Sequence, residues 1–137
     1  MNNTGFIREK PFQADVNKII LQQRGYCGNP TCVQLTGKKQ RINITRNEEH
    51  KVPKAVYNHL GIPQDPNVAE NIWILCAICH SWKTAEDRKL ISLCKRYKND
   101  KNLLKNAKGC FNTKTDYLKK RKCLIDLYDK ASKKKWT

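Results

Sequence analysis

Hydrophobic positions recur at helical spacing near the start of the chain. Phe12, Val16, Ile19, Ile20 and Gln23 share one face, Pro11 suits a first turn, and Gly25 ends the run, so the pattern predicts a helix over 11–24. Residues 25–32 are turn-rich. Over 40–46 the period changes to alternation, with Ile42 and Ile44 on one face. This predicts a strand that continues, bent or bulged, through Glu49-His50 until Pro53 diverts it. The stretch 54–70 is harder to read: 55–60 suggests a short helix stopped by Gly61, and Pro63 and Pro66 mark a loop. A mostly apolar run over 71–75 predicts a buried strand. A helix follows from near Ile78 to about Tyr97, with Leu90, Ile91, Cys94 and Tyr97 as its apolar positions. Residues 98–114 are polar and read as a connector, with Leu103, Leu104 and Phe111 tucked back onto the core. A last helix covers about 116–132, capped by Thr115 or Asp116, with Tyr117, Arg121, Leu124, Tyr128 and Ala131 on one stripe.

This order of strands and helices predicts an α+β fold. At 137 residues and 39% apolar content, the chain suits one modest domain whose small core needs a staple. No segment reads as a secretory leader or a membrane span, so no membrane association is expected. Seven cysteines cannot all pair internally. Without a leader, the expectation is a reducing, intracellular setting in which paired cysteines mean metal more often than disulfide.

The net charge is +16, and it is uneven: residues 83–137 carry 18 Lys or Arg against 6 acids, net +12. Such a field suits a polyanion, most simply nucleic acid.

Cys27-x4-Cys32 and Cys76-x2-Cys79 have the spacing of two metal knuckles, because one tight turn can aim two thiolates at one ion. Together they predict a structural zinc site closing a module of 43 intervening residues. Cys94 reads as plain core, and Cys110 and Cys123 as unassigned thiols. The run Cys76-Ala77-Ile78-Cys79-His80 also spells a c-type haem attachment pattern, but that chemistry requires export.

Glu49-His50, a nearby Pro53, then Asn71-x3-Leu75-Cys76-x2-Cys79-His80-x2-Lys83 form a longer constellation. With the upstream cysteine pair, it resembles the zinc-bound HNH endonucleases, of which phage and homing-type members are examples. The resemblance covers roughly residues 11–97 and implies a small ββα-metal core. It implies His50 as general base, Asn71 as the residue that holds the loop and helps orient that base, and His80 as a catalytic ligand. Glu49 and His80 would share a divalent ion, Mg, Mn or another, distinct from the zinc on Cys27, Cys32, Cys76 and Cys79. Lys83 would contact phosphate. This chain departs from the pattern in places. Glu49 stands where Asp is commoner, and Lys51 replaces an apolar residue. Twenty residues separate His50 from Asn71, and they include His59, read as a surface histidine.

The domain reading is therefore a nuclease domain over 1–97 with its N-terminal helix, and a lysine-rich helical extension over 98–137 as a DNA-binding arm. Its contacts would be Lys119, Lys120, Arg121, Lys122, Lys133, Lys134 and Lys135 on double-stranded DNA. A homodimer is allowed but not required. The alternative is a non-catalytic zinc module that binds DNA or a protein partner on a decayed nuclease fold.

Overall fold

The computed structural model describes residues 13–42 and 47–134. The chain is α+β. It runs through α1 (Gln13–Gln22), α2 (Cys32–Thr36), β1 (Asn47–His50), α3 (Lys54–Leu60), a 3-10 turn (Ala69–Asn71), β2 (Ile72–Leu75), α4 (Ala77–Arg96), α5 (Lys101–Phe111) and α6 (Tyr117–Lys134). The expected helix over 11–24 is α1 within the described residues. Arg24 and Gly25 both take left-handed backbone, with φ of 55° and 76°, and so turn the chain out of α1 into the first cysteine knuckle. The expected strand over 40–46 is seen only as a Tyr26–Arg41 bridge, and Ile44 lies outside the described residues.

β1 and β2 pair antiparallel, with Glu49 opposite Trp73 and His50 opposite Ile72. Every residue of β2 is buried, which explains its unbroken apolar spelling. Its other side is closed by Gln23, whose Oε1 accepts from Ile74 N at 3.0 Å while its Nε2 donates to Ile74 O at 2.9 Å. A side-chain amide thus pairs with the β2 backbone as a neighbouring strand would. The Gly28 amide also donates to Ile74 O, and a Cβ on Gly28 would lie 2.6 Å from Gln23 Oε1, so a larger residue there would push Gln23 off its bonds to Ile74.

Two hydrophobic clusters share the molecule. Val16, Ile19, the knuckle cysteines and β2 form one. Val52, α3, the second half of α4, α5 and α6 form the other, centred on Leu124, Tyr128, Leu90 and Ala107. α4 bridges them, with Cys79 in the first cluster and Leu93 in the second.

One expectation is corrected. Residues 98–114 are no connector, because Lys101–Phe111 is the helix α5, capped by Asp100, whose carboxylate accepts from Leu103 N at 3.0 Å. Leu103, Leu104, Ala107, Cys110 and Phe111 already fall at helical spacing, a stripe diluted by lysine and asparagine between them. α5 and α6 complete the core of α3 and α4, and Tyr57 meets Phe111 edge-on at 5.0 Å. Cys110 and Cys123, unassigned thiols in the sequence, are joined by a disulfide that ties α5 to α6. No helix among the described residues is long and apolar enough to cross a membrane.

Candidate functional site

The four paired cysteines converge. The Sγ atoms of Cys27, Cys32, Cys76 and Cys79 all lie within 4.8 Å of one another, and all four residues are buried. Thiolates about 2.3 Å from a tetrahedral zinc would sit about 3.8 Å apart, so this donor set fits a structural metal ion. The local folding explains the convergence. Cys27 is anchored by its amide to Gln40 O at 2.8 Å, Cys32 opens α2, Cys76 caps α4, and Cys79 lies on that helix's first turn. Outer contacts steady the sulfurs: Cys76 N donates to Cys27 Sγ at 3.3 Å, and Asn29 Nδ2 donates to Cys79 Sγ at 3.3 Å. Burial pushes the Cys27 and Cys79 thiols up. Burial acts the same way on Cys32, but bonds from the Gln40 backbone and the Thr36 hydroxyl outweigh it and bring that thiol down. An ion would be the simplest relief for four crowded, buried sulfurs.

One residue past Cys79, His80 points the other way. Its Nδ1 is hydrogen-bonded to Glu49 Oε2, across from α4 to β1. The pair is open to solvent on one side, with 40% of the His80 side chain and 18% of the Glu49 side chain exposed. One imidazole nitrogen and one carboxylate oxygen fit an oxygen-tolerant divalent ion with positions left over.

His50 follows Glu49, and successive strand side chains leave on opposite faces. Its contact is accordingly different: Nε2 lies 2.6 Å from Asn67 Oδ1 in the 61–70 loop. An amide oxygen only accepts, so with this amide orientation Nε2 carries the proton and Nδ1 is the basic nitrogen. Sequence reasoning passed over Asn67, and its place beside Pro66 in a loop gave no signal.

Asn71 is completely buried. Its Oδ1 accepts from Val52 N at 2.9 Å, and its Nδ2 donates to Val52 O at 3.1 Å and Pro66 O at 2.9 Å. Its own carbonyl accepts from Lys51 N at 2.6 Å. It therefore clasps the chain just beyond His50 and ties it to the loop that carries Asn67. It makes no direct bond to the His50 ring. His59 sits in the last turn of α3 and takes part in none of these bonds.

The basic residues divide. Lys83 is 1% exposed, ion-paired with Asp87 and 3.6 Å from Glu49 Oε1, so it is no phosphate contact. Arg121 is buried against Glu86 and Asp87 at 2.6 Å each and donates to Lys51 O at 2.9 Å. Lys120 is buried, with Nζ donating to Thr113 O at 2.6 Å. The expectation that Lys120 and Arg121 face DNA is corrected, because burial gives both internal partners. Lys119, Lys122 and Lys133 are exposed. The Lys134 side chain and Lys135 lie outside the described residues.

Comparison with family models, curated proteins and solved structures found no match to this chain.

Proposed function

We propose that this protein is a metal-dependent endonuclease that hydrolyses phosphodiester bonds of double-stranded DNA, with His50 as general base. The observation that carries the reading is the contact of Glu49 with His80. It joins the end of β1, which pairs with β2 across the intervening α3 and 3-10 turn, to the first turn of α4, the helix that follows β2 and carries two of the four buried cysteines at its start. This contact, with a metal ion such as zinc on the cysteines, supports a reading of the site as a ββα-metal core.

A divalent cation at Glu49 and His80, Mg or Mn, would neutralise the phosphate and the developing charge on the leaving oxygen. The chain's own residues do the rest. His50 Nδ1 takes a proton from a water as that water's oxygen bonds to phosphorus, while Asn67 holds Nε2 and so fixes the tautomer. The bond from phosphorus to the departing sugar oxygen breaks, and that oxygen takes a proton from solvent. Asn71 keeps the His50 strand end and the Asn67 loop in register. His80 also lies at a helix N-terminus, where backbone amides favour an anion. Exposed Lys119, Lys122 and Lys133 are the candidates for sequence-tolerant phosphate contacts.

The test is supercoiled plasmid with Mg2+ or Mn2+. Wild type should nick or cut it, and His50→Ala should lose cleavage by about 100-fold or more while still binding DNA. A wild-type protein that binds DNA but is inert with every metal would leave only the non-catalytic zinc module.

A further inference from the structure

The two oxygens of Glu49 are not equivalent. Oε2 meets His80, and Oε1 faces the Lys83 ammonium at 3.6 Å. Lys83 cannot swing aside at low cost. It is buried and bound to Asp87 Oδ2, while Asp87 Oδ1 accepts from Arg121 Nη1. Arg121 is fixed in turn by Glu86 and by the Lys51 carbonyl. A chain of alternating charge thus runs from α6 through α4 to one carboxylate oxygen on β1.

Cations differ in what they ask of a carboxylate. Ca2+ collects about six to eight oxygens and often takes both oxygens of one carboxylate, whereas Mg2+ and its small octahedral analogues take one and keep several waters. We infer that Lys83, locked by Asp87 and Arg121, withholds Glu49 Oε1 and makes the Glu49–His80 site selective for small six-coordinate cations over Ca2+. This rests on the reading that Glu49 and His80 bind a divalent ion. Lys83 is a positioning residue here: it touches neither ion nor substrate and acts through Glu49. An electrostatic role alone would give a different result, because removing a nearby positive charge strengthens both cations together and leaves their ratio unchanged.

The experiment uses the zinc-loaded full chain and follows Mn2+ binding by electron paramagnetic resonance, with Ca2+ as competitor. Wild type should prefer Mn2+ over Ca2+ by about tenfold or more, and Lys83→Met should reduce that preference to about threefold or less by freeing the second oxygen. Lys83→Arg, which keeps a cationic donor, should retain it. Should Lys83→Met fail to fold, Lys83→Gln is read in its place. An unchanged ratio in a variant that keeps its zinc and its melting profile overturns the inference and leaves the site standing. If wild type binds no Mn2+, or Glu49→Gln binds it as well as wild type, the two-ligand site falls and this inference falls with it.

Discussion

Asn71 and Val52 are bonded to each other twice, side chain to backbone, at 2.9 and 3.1 Å, and both are fully buried. The pair extends the β1–β2 ladder past His50 with an amide in place of a backbone. Replacing Asn71 by Ala would orphan a buried N–H and two carbonyls, at about 1–3 kcal/mol for each group left unsatisfied. A loss of several kcal/mol in urea unfolding is expected, and a change under about 0.5 kcal/mol, the scale of an ordinary surface substitution, would contradict this role.

The cysteine cluster should hold one metal ion. Elemental analysis is expected to find about one zinc per chain, and a strong chelator should unfold the α1 and knuckle half. Cys76→Ser should lose the zinc. Zinc-free protein with an unchanged melting profile would count against a structural metal.

The basic residues of α6 should separate by burial. Arg121→Ala leaves Asp87 and Glu86 without their guanidinium and should cost about 3–5 kcal/mol of stability. Ala at exposed Lys119, Lys122 or Lys133 should leave stability within about 0.5 kcal/mol. If they contact phosphate, each should lower the salt slope of DNA binding by about one. Filter binding across a salt series would decide. If Lys122→Ala destabilises as much as Arg121→Ala, the division is wrong.

Alkaline pH should weaken the second core cluster. Burial pushes the Cys94 thiol up to about 11 and also raises the Tyr57 and Tyr128 hydroxyls. The unfolded chain therefore releases these protons at lower pH than the folded one, so the folded state binds more protons and stability falls as pH rises through about 9 to 11. Urea midpoints should drop over that window, and Cys94→Ala should show a shallower drop. A flat profile would refute the linkage.

The Cys110–Cys123 disulfide closes a short loop, its ends 13 positions apart in sequence. Cys123→Ser, or reduction, should cost about 2–4 kcal/mol, read by unfolding with and without dithiothreitol. No difference would mean that the α5–α6 packing suffices without the bond.

Much of this molecule is written locally. α1, β2, α4 and α6 follow from periodicity, because each has a face or a run that must be buried. The cysteine pairs announce themselves because a knuckle is a short-range structure, and Asn71 and His80 take their places from fixed offsets around it. α5 was not legible, because lysine and asparagine dilute its apolar stripe and leave the segment looking like a polar connector. What composition could not separate was one lysine from another. Lys83, Lys120 and Arg121 look like their exposed neighbours in the sequence. Only packing decides that α6 lies across α4, so that burial makes an internal carboxylate or carbonyl the partner of each. The asymmetry of Glu49 is of the same kind. Spacing brings the carboxylate to His80, but the charge chain from Arg121 joins residues 34 positions apart and more, and long-range contacts of that sort exist only once the core has closed.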